Sequence, residues 1–107
     1  MSNELEPRLF GTWTTTLDGK FPAVFKFSEN AEFELELTIP QFGKTAVIAG
    51  KWKMHHPTEV FVHDLKTSNL FLKMMMRKSS PIPFSDLTDK SVVIHFQGKQ
   101  ATLSKTT

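Results

Sequence analysis

From Ala31 to Met54, apolar and polar residues alternate through two successive runs, and that period of two leaves little choice of secondary structure. Phe33, Leu35, Leu37 and Ile39 fall on one side, with Glu32, Glu34, Glu36 and Thr38 on the other. Successive side chains of a strand point to opposite faces, whereas a helix would spread the same residues around its circumference. After Pro40-Gln41-Phe42-Gly43-Lys44 the pattern resumes, with Ala46, Ile48, Gly50, Trp52 and Met54 on one face and Val47, Ala49, Lys51 and Lys53 on the other. The segment reads as a β-hairpin with one apolar and one charged face, which sets the class as antiparallel all-β. Glu32, Glu34 and Glu36 are expected to be solvated and to pair across the hairpin with Lys51 and Lys53.

The flanking chain supplies strands of similar length. Leu9, Gly11, Trp13, Thr15 and Leu17 share a face of a first strand over Arg8 to Leu17, and Asp18-Gly19 is a tight-turn signal because both residues tolerate positive φ. A second strand runs from Phe21 to Phe27, with Phe21, Ala23, Phe25 and Phe27 on one face, and Ser28-Glu29-Asn30 turns into the third. His55-His56-Pro57 ends the fourth strand, and Thr58 to Leu65 reads as a fifth with apolar groups on both faces. Asn69 to Arg77 is read as a sixth strand, with a short helix as the alternative. Two prolines in Ser79-Ser80-Pro81-Ile82-Pro83 remove ladder donors, so this stretch is expected to be an irregular connection running to about Asp89. Lys90 to Phe96 and Gln100 to Lys105, around Gln97-Gly98-Lys99, close the chain. About eight short strands with turns every eight to twelve residues suggest a sandwich or a barrel.

A chain of 107 residues is expected to form a single domain over its whole length. With ten Phe, two Trp and no Tyr, its core is built on Phe. The formal charge is only +2 and the basic residues are scattered, which, with no base-stacking aromatic motif, argues against nucleic acid. Zero cysteines exclude a disulfide framework, a thiolate metal site and a cysteine nucleophile, and leave the redox compartment open. No apolar run approaches the ~20 residues of a membrane-spanning helix. The opening Met-Ser-Asn-Glu-Leu-Glu-Pro is not a signal peptide, so the expected location is cytoplasmic, or periplasmic or secreted if a signal has been removed.

Several short motifs, in order along most of the chain, resemble the small bacterial lipocalin-like domains. Leu9-Phe10-Gly11-Thr12-Trp13 looks like the Gly-x-Trp opening of lipocalins, and Ala49-Gly50-Lys51-Trp52-Lys53 like an internal Gly-x-Trp strand. Phe25 to Phe33 resembles their second hairpin, and Leu87 to Ile94 with Gln97 to Leu103 their final one. The chain departs from lipocalins in being shorter, in lacking room for a carboxy-terminal helix, and in having only Lys105 where an Arg of the last strand would pack over the first Trp. The resemblance implies an up-and-down β-barrel rather than a sandwich.

Such a barrel would be lined by Trp13, Phe25, Phe27, Phe33, Leu35, Leu37, Ile48, Trp52, Met54, Leu72, Met74, Ile94 and Phe96. An eight-stranded barrel is just wide enough to be filled by side chains or to hold one small ligand. Bulky aromatics favour a filled interior, while Gly11, Ala23, Ala46, Gly50 and Ala101 on inward faces either leave room for a pocket or accommodate neighbouring rings. The function expected is non-enzymatic binding of a small apolar molecule in or at the mouth of the barrel. Its candidate residues are Trp13, Phe25, Phe27, Phe33, Leu35, Trp52, Met54, Met74 and Phe96, with each indole N–H either partnered or free to orient a polar group. The alternative is a protein-interaction module with a filled core. By parity Phe61, Phe71, Met75 and Val93 share an outer wall, an apolar patch suited to a homodimer.

Catalysis has little support, since there is no nucleophile elbow and no phosphate loop. His63 with Asp64 or Asp86 would make an acid-base pair only in a favourable topology. No cofactor is implied and no metal site is expected, because His55 and His56 are adjacent in a strand and so point to opposite faces unless the strand kinks.

Overall fold

The protein is described here by a computed structural model covering residues 5–17, 19–39, 43–69, 73–74, 77–96 and 99–106, with the side chains of Lys44 and Phe96 left undescribed. After a short 3-10 helix, Pro7–Leu9, come strands β1 (Gly11–Leu17), β2 (Phe21–Phe27), β3 (Glu32–Ile39), β4 (Lys44–His56), β5 (Glu59–Thr67), β6 (Ser80–Ser85), β7 (Ser91–Phe96) and β8 (Lys99–Lys105). Each strand pairs antiparallel with the next, and β8 returns to β1 through Trp13↔Lys105 and Thr14↔Ser104, closing an up-and-down barrel. Closure removes the open sheet edges that would otherwise template aggregation.

The turns follow local chemistry. Gly19 and Gly43 lie in the β1–β2 and β3–β4 connections at φ of 67° and 60°, the left-handed region open to glycine at no steric cost. Between β2 and β3 a non-glycine residue takes that role. Ala31 sits at φ 70°, held by its N–H on the Ser28 carbonyl at 3.2 Å and by its own carbonyl, which accepts from the Trp52 N–H at 3.0 Å.

Inward residues of the first four strands stack in layers set by the register. Gly11, Phe27, Phe33 and Gly50 face one another across neighbouring strands in one layer, Trp13, Phe25, Leu35 and Ile48 in the next, and Thr15, Ala23, Leu37 and Ala46 in a third. Pairing large with small around a layer is how a narrow barrel is filled without voids. Val60 and Val62 of β5, Ile82 and Phe84 of β6, Val92 and Ile94 of β7 and Leu103 of β8 complete the buried core. At about 1.5–3 kcal/mol for each fully buried large apolar side chain, this set is the main stabilising term.

Two bulges interrupt the β4–β5 ladder. Ala49 pairs with Lys66 but Lys51 with His63, so Gly50 faces both Asp64 and Leu65. Asp64 takes φ 54°, and β5 bends so close that a Cβ on Gly50 would lie 2.7 Å from the His63 carbonyl oxygen and 2.8 Å from Leu65 Cδ2. The bend turns Leu65 back against the core, where simple parity with Val60 and Val62 places it outside. The second bulge, between Met54 and His56, leaves His55 as the extra residue on β4.

The expected strand over Asn69 to Arg77 and the expected loop over Ser80–Ser85 are both corrected. Lys73 and Met74 are helical, with the Lys73 N–H on the Asn69 carbonyl at 2.9 Å, and Met74 is 88% exposed. Met74 therefore does not line the barrel, and Leu72 and Phe71, like Met75, lie outside the described residues. The sixth strand is instead the proline-bearing segment, with Ile82 and Phe84 inward at 3% and 7% exposure. It pairs with β5 from Ser80 to Pro83 but with β7 only through Phe84 and Ser85. Over Pro81 and Pro83 one side of β6 thus has no paired neighbour among the described residues, the situation in which a strand tolerates proline.

Candidate functional site

The two ends of the barrel differ in what fills them. At the end where β1 begins and β2 finishes, the Pro7–Leu9 helix leads into β1 with Leu9 in the core, capped by Glu6, whose carboxylate accepts from the Arg8 N–H at 3.2 Å and pairs with Arg8 Nε at 3.0 Å. The hydrogen bond from Arg8 holds the Glu6 carboxyl below the usual glutamate value. Leu9 is buried, and its carbonyl accepts the Trp13 indole N–H at 2.9 Å. The Trp52 indole N–H donates to the Ser28 carbonyl at 2.9 Å. Around Trp52 the rings of Phe27 at 5.0 Å and Phe10 at 6.0 Å stand edge-on, and Phe33 lies 5.4 Å from Phe27, arrangements favoured by the ring quadrupole. Lys105 Nζ sits 5.4 Å over the Trp13 ring, so a lysine of the last strand covers the first tryptophan.

Trp13, Phe27, Phe33 and Trp52 therefore form a stopper at this end, and both indole N–H groups are engaged by main-chain carbonyls. Met54, half-buried near the β4–β5 turn, packs against the same core. The opposite end is built differently. Above the Trp13, Phe25, Leu35 and Ile48 layer comes the layer of Thr15, Ala23, Leu37 and Ala46, and then Leu17, Phe21 and Ile39 at the rim. Ala101, opposite Ile94, brings a third small inward residue to this side. Leu17, Leu37 and Ala101 are only partly buried. Phe25 and Leu35 thus form a floor, with alanine methyls and half-exposed leucines above it. Phe96 ends β7 at this same end, its side chain outside the described set.

Chemically the interior offers dispersion and apolar area. Among the described residues no polar or charged residue is buried, so no proton donor or acceptor of ionisable type faces the core. His63 contacts its neighbour Asp64 at 3.3 Å on the outer surface, away from the interior. The residues that distinguish this end, Ala23, Leu37, Ala46 and Leu17, all lie on the inward stripe of the sequence. The signal that marks them is the local run of small residues, not the aromatics.

Outside the barrel, Phe61 is half-buried because its ring stacks on His63 at 6.0 Å, meets His55 at 6.0 Å and lies under Lys53 Nζ at 5.6 Å. Val93 is half-buried two strands away, opposite Ser85 on β6, whereas Phe61 pairs with Pro81. Phe71 and Met75 lie outside the described residues. Glu32 stands opposite Lys51 in the β3–β4 register, but Glu34 and Glu36 find a different partner from the one parity suggests. Lys26 of β2 reaches Glu34 at 3.3 Å and Glu36 at 3.1 Å, and the hydrogen bonds its ammonium donates to Glu36 and then Glu34 raise its pKa. The kink that would let His55 and His56 share a face is present, for the bulge at His55 brings their rings to 4.3 Å.

Eight antiparallel strands joined in chain order and closed from β8 to β1 make a barrel of lipocalin-like fold, with Gly11-x-Trp13 of the first strand under a basic residue of the last. A lipocalin-like protein from Bacteroides uniformis has the same fold, with a TM-score of 0.67 at 12% identity over 92% of this chain and 99% of that one. An uncharacterized protein from Bacteroides eggerthii matches at a TM-score of 0.61 and 14% identity, again over 92% and 99%. No family model and no curated protein sequence matches the chain.

Proposed function

We propose that the protein binds one small apolar molecule without transforming it, seated between the Thr15, Ala23, Leu37 and Ala46 layer and the rim at Leu17 and Ile39. The observation that carries this reading is the asymmetry of the core, with aromatic rings and both indole N–H groups engaged at one end and alanines beside partly exposed leucines at the other. Apolar lining with few polar groups is the usual make-up of small-molecule sites in barrel mouths. The site moves accordingly from Trp13, Phe27, Phe33 and Trp52 toward Phe25 and Leu35 as its floor. Native mass spectrometry of freshly purified protein tests this: an added mass lost on denaturation is expected, and Ala46→Phe, which fills the layer, removes it. Protein that is mass-clean in both forms, and gives no fluorescence enhancement with the apolar dye anilinonaphthalene sulfonate, refutes the reading. A second reading, an interaction module pairing two copies through Phe61 and Val93, draws on their outward positions. The same spectra test it, since a dimer lost in Phe61→Ser is its expected sign.

A further inference from the structure

We propose that His55, His56 and Glu59, at the tip of the β4–β5 hairpin, form a site for a borderline divalent cation of the zinc type. The bulge at His55 is what makes the cluster. Adjacent residues of a regular strand diverge, but an extra residue on one strand re-aims its side chain. Here the His55 and His56 rings lie 4.3 Å apart at an interplanar angle of 54°. Glu59, the first residue of β5, pairs in register with His56. Its Oε2 lies 2.5 Å from His55 Nδ1 and 4.0 Å from His56 Nε2, and one ligand atom from each of the three falls within 4.8 Å of the others.

A tetrahedral ion with N and O ligands at ~2.0–2.1 Å holds them roughly 3.3 Å apart. The observed separations bracket that value, so small side-chain rotations suffice. The coordination would use His55 Nδ1 with its proton on Nε2, and His56 Nε2 with its proton on Nδ1. Two imidazoles and a carboxylate favour zinc, nickel or copper(II) over magnesium or calcium, which prefer oxygen alone.

The surroundings fix the ligands without closing the site. Pro57 restricts the turn, and the Thr58 carbonyl accepts the Phe84 N–H at 2.8 Å, tying the tip to β6. The Phe61 ring backs His55 at 6.0 Å. The side chains of His55 and His56 are 54% and 64% exposed while that of Glu59 is 20% exposed, which leaves outward positions for water. Lys53, whose Nζ lies 5.6 Å from the Phe61 ring centre, opposes a cation, and the Glu59 carboxylate offsets it. The site is outside the barrel and stands independently of any ligand within it.

Calorimetric titration of the full, tag-free chain with zinc chloride tests the assignment. One zinc per chain is expected, and His55→Gln, His56→Gln and Glu59→Gln should each weaken binding at least about tenfold, the scale seen when even an outer-sphere partner is lost. His95→Gln, on β7 where Ser85 Oγ lies 3.4 Å from its Nε2, should leave binding unchanged. All three sites of substitution are exposed or at the strand start, and unchanged circular dichroism confirms the fold. Absence of zinc binding, binding that survives His55→Gln and His56→Gln, an equal loss in His95→Gln, or displacement of zinc by equimolar magnesium overturns the proposal.

Discussion

Replacing each tryptophan by phenylalanine separates the contributions of the two indole N–H groups at the closed end. Trp13 is fully buried, and its N–H meets the carbonyl of Leu9, itself 2% exposed. In Trp13→Phe that carbonyl loses its donor where water has little access, a cost of about 1–3 kcal/mol. The smaller ring also leaves unfilled space, adding roughly 1 kcal/mol at ~24 cal/mol per Å³. The sum is about 2–4 kcal/mol. For Trp52→Phe the accepting carbonyl belongs to Ser28, in a turn that is only partly buried. Water can replace the lost donor there, so the expected cost is about 1.5–2.5 kcal/mol. Urea unfolding followed by far-ultraviolet circular dichroism, which reports both variants without relying on tryptophan emission, measures the difference. The m-value should hold steady while the midpoint falls further for Trp13→Phe. A Trp13→Phe loss below about 1 kcal/mol, or one no greater than that of Trp52→Phe, would refute the argument that buried carbonyl satisfaction governs this end.

Gly50→Ala should destabilise the barrel by about 1–3 kcal/mol in the same assay, because its Cβ would press on the His63 carbonyl at 2.7 Å and the strand cannot retreat without disturbing the Asp64 bulge. Phe84→Ala should cost about 3–5 kcal/mol as an inward residue of β6, whereas Met74→Gln, at a position 88% exposed, should change stability by less than ~0.5 kcal/mol. Equal effects at the two positions would contradict the assignment of the sixth strand. Because Arg8 lowers the folded-state pKa of Glu6, the stabilisation is present above the ordinary glutamate value and is lost as pH falls through the lowered one. The difference between Glu6→Gln and the parent should therefore be largest at about pH 7 and shrink steadily as pH is lowered below the ordinary glutamate value of about 4.3.

Most strands are legible because one face is wet and the other dry. Glu32, Glu34 and Glu36 against Phe33, Leu35 and Leu37 leave only one orientation of β3, and the same alternation carries β1, β2 and β4. The sixth strand is obscured because its two prolines remove ladder donors, although Ile82 and Phe84 carry the alternation. Whether a proline is tolerated depends on whether a neighbour stands on that side, and among the described residues β7 meets β6 only at Phe84 and Ser85. Met74 illustrates the reverse error. Leucine and methionine in alternation resemble a strand, but local hydrogen bonding from Lys73 to Asn69 places it in a helical turn facing solvent. Of the candidate site, the aromatics of the stopper stand out in the sequence by size, whereas the small residues nearer the other end show only as exceptions to the apolar stripe.

From its residues alone the chain determined its class, its turns and the inward stripe of most strands, since these depend on period-two patterning and on local φ preferences. The resemblance in its Gly-x-Trp and hairpin motifs added the closed barrel. Tertiary structure alone decided which carbonyls receive the indole N–H groups of Trp13 and Trp52, that Lys26 rather than Lys51 or Lys53 pairs with Glu34 and Glu36, and that His55 and His56 share a face. The Lys26 pairing and the shared face of His55 and His56 turn on register between strands, whereas Trp13 reaches back only four residues to Leu9 and depends on the 3-10 turn that precedes β1. A single bulge residue reverses every parity beyond it, and bulges arise from the fit of two strands rather than from either sequence alone.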